Sequence, residues 1–362
     1  MLDIRIILLQ YFVILAFNSF SQINQKLLDQ ELDDLLYQYH SNEQLNGSVL
    51  VAKQGKVLYQ KSFGKADISK AIDNTLETKF SIGSLTKSFT AIAVIQLHER
   101  GLLNLHEPIK TYIPELNATI GKLTLHQLMK NASGLPVHLN RITDLEYRDI
   151  TSEELIELYN NKATLSFEPG TKYSYSNLNY QLASIVVEKV SGLSYKTYLE
   201  QYVFGPIDMK NSGVERTHDY PKDKAQGHDI VDDKFVKSQR NYMAYAKGGG
   251  DIYTTAVDLL KWDQALYTEK LVSNNSKKLL FDGTLDEFGG YGYGFKIKYY
   301  DRHSVSKGKI VRHGGSMYGY ICNINRYLDD QVTIIILGNI RPFPIMEINK
   351  AIEVKLYDFG YI

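Results

Sequence analysis

Residues 80–97 read FSIGSLTKSFTAIAVIQL. The quartet Ser84-Leu-Thr-Lys87 opens a run in which Phe89, Ile92, Val94, Ile95 and Leu97 are apolar on more than one side, which predicts a short loop feeding a buried helix. Positions three apart lie on one helix face, one turn from each other, so a hydroxyl and an amine come within reach. A helix N-terminus adds backbone N–H donors and partial positive charge where an oxyanion would form.

Upstream, GSVLVA (47–52) and KVLYQKSF (56–63), joined by Gln54-Gly55, read as a β-hairpin. Leu28, Leu32, Leu35 and Leu36 space a helix over 27–39, and Gly101 suits the end of the Ser84 helix. Downstream lie helices over 123–130, 152–159 (capped by Thr151 or Ser152), 180–190 and 255–267. Gly248-Gly249-Gly250 reads as flexible punctuation before the last of these. The chain then turns to strands, over 291–299, 318–327 and 332–337, and Pro344 starts a final helix with Ile345, Ile348 and Ile352 on one side. This order predicts an α+β fold. One antiparallel sheet, built from both chain ends and flanked by helices, holds an inserted helical lobe over roughly 81–284.

The 362 residues carry 41 Lys+Arg against 41 Asp+Glu, a formal net charge of zero. No basic block or Gly-rich phosphate loop is present, so nucleic acid is not an expected partner. The single cysteine, Cys322, excludes an intramolecular disulfide and a multi-cysteine metal site, and its apolar surroundings read as core. His98, His106, His126, His218 and His228 lack metal-ligand spacing, so neither metal nor cofactor is expected. Trp262 reads as core. Arg5, the apolar run 6–17 and the small residues before Gln22 read as a signal peptide over 1–21, with a single domain over 22–362. The expected location is periplasmic or secreted, with no stable membrane span after cleavage. An uncleaved anchor is the alternative, because Asp3 weakens the basic start. Nothing in the sequence sets the oligomeric state.

Ser-x-x-Lys alone is weak; Ser62-Phe-Gly-Lys65 repeats it in a strand, where the spacing separates the side chains. Two further motifs accompany the Ser84 quartet. Tyr175-Ser-Asn177 sits in a loop before a buried helix, and His313-Gly314-Gly315-Ser316 lies between strand-like runs, where paired glycines mark close approach of another backbone or a ligand. With these three motifs in this order, and with GSVLVAKQGKVLYQKSFGKAD (47–67), LTLHQLMKNASGLP (123–136), GGGDIYTTAVDLLKWDQAL (248–266) and YGYGF (291–295), the chain resembles the serine β-lactamase and penicillin-binding-protein superfamily. The likeness is to class C β-lactamases, D-Ala-D-Ala peptidases and family VIII esterases. It covers nearly all of the chain after the signal segment. Class A enzymes carry Ser-Asp-Asn and Lys-Thr-Gly instead.

The resemblance implies a β-lactamase/transpeptidase-like fold and a serine hydrolase working through an acyl-enzyme on esters, amides or small peptides. Ser84 would be the nucleophile, and Lys87 and Tyr175 would share the proton work, with the choice of base left open. Asn177 would hold Lys87 and a substrate amide. The backbone N–H groups of Ser84 and Ser316 would form the oxyanion hole, and Gly314 and Gly315 would let substrate lie along a strand edge. Many family members place Lys at position 313 to attract a carboxylate, whereas a histidine is at most partly charged near neutral pH. Arg312 should point to the other face. Ester or small-peptide substrates are therefore expected ahead of β-lactams. A β-lactamase or D-alanyl-D-alanine carboxypeptidase is one alternative; a weakly or non-catalytic penicillin-binding sensor is the other.

Overall fold

The computed structural model describes residues 4–141, 143–144, 147–283, 289–303 and 306–362. In chain order the elements used below are α1 (Ile4–Ser41), β1 (Gly47–Lys53), β2 (Lys56–Phe63), α2 (Thr86–Glu99), α3 (Asn177–Ser191), α4 (Ala256–Ala265), β3 (Lys296–Tyr300), β4 (Gly308–Met317), β5 (Tyr320–Tyr327), β6 (Val332–Gly338) and α5 (Ile345–Asp358). The main sheet is antiparallel, in the order β3-β4-β5-β6-β1-β2. Its β6–β1 pairing joins strands far apart in the chain, Gly47 opposite Gly338 through Lys53 opposite Val332. The expected α+β architecture is thus found, with the helix-rich stretch entering and leaving at the sheet. The expected lobe boundary at 284 lies outside the described residues.

The interior strands β1 and β6 read as nearly continuous apolar runs because both of their faces are covered. Along β1, Val49 and Val51 join an outer core with Leu28, Leu32 and Leu36 of α1 and Ile348, Ile352 and Leu356 of α5. Leu50 and Ala52 join an inner core with the buried face of α2 and with α4. There Phe89 of α2 stacks on Trp262 at 3.9 Å between ring centroids, so Trp262 is core, as its sequence context suggests.

Several boundaries differ from the sequence reading. α1 runs unbroken across the Ser21–Gln22 junction, since neither Gly nor Pro interrupts 4–41. Among the described residues, no helix is long and apolar enough to cross a membrane. The strand expected to begin at Tyr291 starts only at Lys296, because Gly290 and Gly294 have φ of +68° and +76° and turn the chain first. His313 to Ser316 lie inside β4 rather than between strands.

The inner face of the sheet is tied to α4 by a fully buried ion pair. Arg326 Nε donates to Asp263 Oδ1 at 2.6 Å, and the same oxygen accepts from Thr333 Oγ1 at 2.8 Å. Removing one partner strands a buried charge, so Asp263→Ala should lower unfolding free energy by about 3–5 kcal/mol, read by denaturant titration.

Candidate active site

α2 is preceded by a 3₁₀ turn over Gly83–Leu85. Every residue from Leu85 to Ile95 is buried, while Ser84 itself is partly exposed. Glycine is needed at 83 for its φ of +47°. β4 docks directly on this turn. A side chain on Gly315 would be driven into the Ile82 carbonyl oxygen, and its first carbon would lie 2.8 Å from Ser84 N; one on Gly83 would lie 2.9 Å from Ser316 N. The paired glycines therefore mark a backbone approach that brings Ser84 and Ser316 together. Cys322 Sγ donates to Ile82 O at 2.9 Å from the neighbouring strand, and burial pushes its thiol up to about 12, an inert core position. β3 stops pairing with β4 at Lys296 opposite Arg312, so from His313 onward that side of β4 has no strand neighbour among the described residues.

Lys87 has no exposed surface. Its Nζ reaches Asn177 Oδ1 at 2.6 Å, Gly249 O at 2.7 Å and Ser84 Oγ at 3.1 Å. Burial pulls its pKa down to about 7, against the opposing charge of Asp251. When the amine is neutral, two N–H bonds remain for the two carbonyl acceptors, and the lone pair faces the Ser84 hydroxyl.

The Tyr175-Ser-Asn177 loop is held from below. Asn131, with φ +56°, accepts from Ser176 N and Asn179 Nδ2 at 3.0 Å each. Ser176 Oγ caps α3 through Leu178 N at 3.2 Å and donates to Pro136 O at 2.6 Å. The Asn131–Pro136 turn is thus a buttress for the second motif, a role its turn-forming residues alone do not disclose. The Tyr175 ring centroid lies 5.1 Å from Lys87 Nζ. Burial raises the phenol's pKa, with hydrogen bonding to Ser84 opposing and Tyr173 adding to the rise.

His313 is buried and uncharged. Burial first, then the charge of Lys87, drives its pKa down to about 3. Nδ1 donates to Gly314 O at 2.7 Å, leaving Nε2 to accept from Tyr291 OH at 2.9 Å. Arg312 Nη1 lies 3.8 Å from Met346 Sδ of α5, and both residues line a groove with Ser84.

All eight residues singled out in the sequence converge here. Three more were not singled out. Gly249 supplies an acceptor to Lys87, so the Gly248–Gly250 run is a packed turn rather than flexible punctuation; a side chain on Gly248 would lie 2.5 Å from Ser184 Cβ. His138 Nδ1 accepts from Asn177 Nδ2 at 2.9 Å, and Lys296 Nζ stands 5.9 Å from the Tyr175 ring centroid. No motif spacing flags His138 or Lys296. Only the repeated glycines, which permit close packing, offer a signal for Gly249. Among the described residues, no cluster of His, Cys, Asp or Glu could hold a metal.

A family model described as Beta-lactamase matches residues 29–356. The chain belongs to that family. A penicillin-binding protein of Bacillus subtilis (strain 168) is 29% identical over 332 residues, 86% of this chain and 71% of its own. Among solved structures, the octameric penicillin-binding protein homologue from Pyrococcus abyssi superposes with TM-score 0.77 at 26% identity, covering 91% of this chain and 77% of its own. A penicillin-binding protein from Bacillus halodurans gives TM-score 0.76 at 25% identity, covering 88% and 99%. The β-lactamase/transpeptidase-like fold is therefore established, as the three motifs suggested.

Because Gly315 touches backbone, Gly315→Ala should displace β4 from the Ile82–Ser84 turn. Labelling of Ser84 by a fluorophosphonate should slow about a hundredfold, measured beside a circular dichroism check that the fold persists.

Proposed function

We propose that the protein is a serine hydrolase that cleaves ester, amide or small peptide bonds through an acyl-enzyme on Ser84. The observation that carries this reading is the Lys87 amine: fully buried, with a pKa near 7, two carbonyl acceptors fixing its N–H bonds and its third contact on Ser84 Oγ. A serine is inert until a neighbouring base takes its proton.

In this mechanism neutral Lys87 accepts the Ser84 proton as Oγ bonds to the substrate carbonyl carbon. Charge on the carbonyl oxygen meets the backbone N–H groups of Ser84 and Ser316; a comparable donor in another hydrolase contributes about 2.7–4 kcal/mol. The tetrahedral adduct collapses, the bond to the leaving group breaks, and that group departs with a proton from Lys87 relayed through Tyr175. Burial keeps the Tyr175 phenol protonated near neutral pH, which favours Lys87 as the base and Tyr175 as the donor. Water then attacks the ester on Ser84, giving its proton back through the same pair, and the acid leaves.

The names of the Bacillus relatives support a second reading, in which a penicillin acylates Ser84 and leaves slowly. Uncharged His313 offers such a ligand's carboxylate no cation at that position, which supports esters or peptides first. Export with removal of 1–21 belongs to this proposal; its support is the apolar run 6–17 and the small residues before Gln22, and N-terminal sequencing of the mature protein tests it.

Intact mass after brief exposure to a p-nitrophenyl ester and to a penicillin separates the readings. A transient adduct with fast p-nitrophenolate release, absent in Ser84→Ala, is expected; a persistent penicilloyl adduct would favour the second reading. Lys87→Ala should lower kcat by at least about a hundredfold with the fold intact. Because protonated Lys87 cannot accept the serine proton, kcat/KM should climb through about pH 7 and level off above it. A flat profile between pH 5 and 9 would count against Lys87 as the base.

A further inference from the structure

The Gly248–Asp251 turn is pinned to α2 on either side of Lys87. Gly248 O accepts from Thr90 Oγ1 at 2.6 Å, and Ile252 N donates to Thr86 Oγ1 at 3.1 Å. Between these two anchors Gly249 O accepts from Lys87 Nζ at 2.7 Å. The Asp251 side chain closes the turn from inside, its Oδ1 accepting from Gly248 N at 3.0 Å. The Asp251 carbonyl accepts from Glu215 N at 2.7 Å, which ties down the far end as well.

Asp251 is 2% exposed, and Lys87 is fully enclosed. The other ionisable groups around them already have partners. Lys247 pairs with Glu188 at 2.6 Å, and Lys224 with Glu215 at 2.5 Å. The Tyr195 phenol meets Thr90 Oγ1 at 2.6 Å, and burial keeps it protonated. Asp251 is therefore the carboxyl left to answer the Lys87 amine, and its charge is what opposes burial there. Burial pushes the Asp251 carboxyl itself up to about 7, against bonds from its own backbone and Gly248 N and the charge of Lys247, with Glu215 adding to the rise. Two interacting groups that titrate over one range do so as a pair. Behind Asp251 lies a cavity of about 320 Å³, bordered by Asp149, Lys196 and Arg216. It shares no lining residue with the grooves of about 490 and 390 Å³ that open on Ser84, so the carboxyl has a side that substrate there does not cover.

We infer that Asp251 is a positioning residue for the Lys87 base: its carboxylate closes the turn that aims Gly249 O at the amine, and its negative charge sets how tightly that amine keeps its proton. The inference rests on the reading of Lys87 as the base for Ser84 and adds to it a control that lies outside the three motifs. Direction separates charge from packing. Deleting a nearby anion disfavours protonated Lys87 and lowers its pKa, whereas loosening the turn admits water and raises it.

Carbon-13 labelling of lysine reads the Lys87 Cε resonance, assigned by its loss in Lys87→Ala, without any turnover. In the native protein its midpoint should fall near pH 7. Asp251→Asn keeps an oxygen for Gly248 N and removes the charge, so the midpoint should drop by about one pH unit or more. The acid limb of kcat/KM for p-nitrophenyl butyrate should move down with it. An unmoved or raised midpoint would overturn the inference. Asp251→Ala removes the acceptor too, so hydrogen exchange at the Gly248 amide should quicken about tenfold or more in that variant and stay slow in Asp251→Asn. Equal exchange in the native protein and Asp251→Ala defeats the turn-closing role. Should Asp251→Asn fail to fold, the native protein decides alone. The backbone-assigned Asp251 Cγ resonance should shift through the same pH range as Lys87 Cε, and a carboxyl carbon that stays still there has the same overturning meaning. If the ester is not turned over at all, the reading of Ser84 as nucleophile fails by itself, and the two resonances still decide the role of Asp251.

Discussion

The contact between β4 and the Ile82–Ser84 turn is the constraint on which the rest of the molecule depends. It is a backbone-on-backbone approach with no room for a side chain at Gly315 and with a left-handed glycine at 83. Ser84 belongs to the helical part of the chain, and the β4 edge beside it belongs to the sheet. A rigid joint between the two is what makes Ser84 N and Ser316 N neighbours. The inner core, running from β1 through α2 to Trp262, holds α2 against the sheet and so keeps the joint closed.

Around that joint the electrostatics are set by burial more than by paired charge. Lys87 loses its solvent shell and is left with one carbonyl of the Gly248–Gly250 turn, one side-chain amide and one hydroxyl. Full desolvation pulls its pKa to about 7, and the buried Asp251 carboxylate keeps it from falling further. His313, a few ångströms from the Tyr175 and Tyr291 rings, is driven the same way until it is purely a neutral hydrogen-bonding group. One amine poised near neutrality beside an imidazole that stays uncharged follows from enclosing both in aromatic side chains.

Much of this was legible in the sequence, and the gaps have physical causes. Ser84 and Lys87 could be paired from helical spacing alone, and the hairpin and β6 from apolar runs bounded by turns. The order of strands and helices was enough for the fold class. What local pattern does not carry is contact between segments far apart in the chain. Gly249 reads as a loop until its carbonyl is found on Lys87, and Asn131 as a turn residue until its amide is found under Ser176. His138 sits in no motif, and Lys296 looks like any strand-initiating lysine until β3 is placed beside β4. The start of β3 differs from its sequence reading because Tyr291, Tyr293 and Phe295 have strand-forming side chains while Gly290 and Gly294 beside them turn the chain.

The β6–β1 seam also says something about when this chain becomes a protein. Gly47 pairs with Gly338, and β1 lies between β2 and β6, so the first hairpin has an unpaired flank until nearly the whole chain exists. Contacts so distant in sequence are entropically expensive to close and come late in folding. Up to that moment β1 is an exposed apolar strand with a bare hydrogen-bonding edge, the kind that recruits other chains. The nascent polypeptide therefore passes through a long window in which its centre is complete and its frame is not. Until β6 arrives, the GSVLVA strand stays open along that edge.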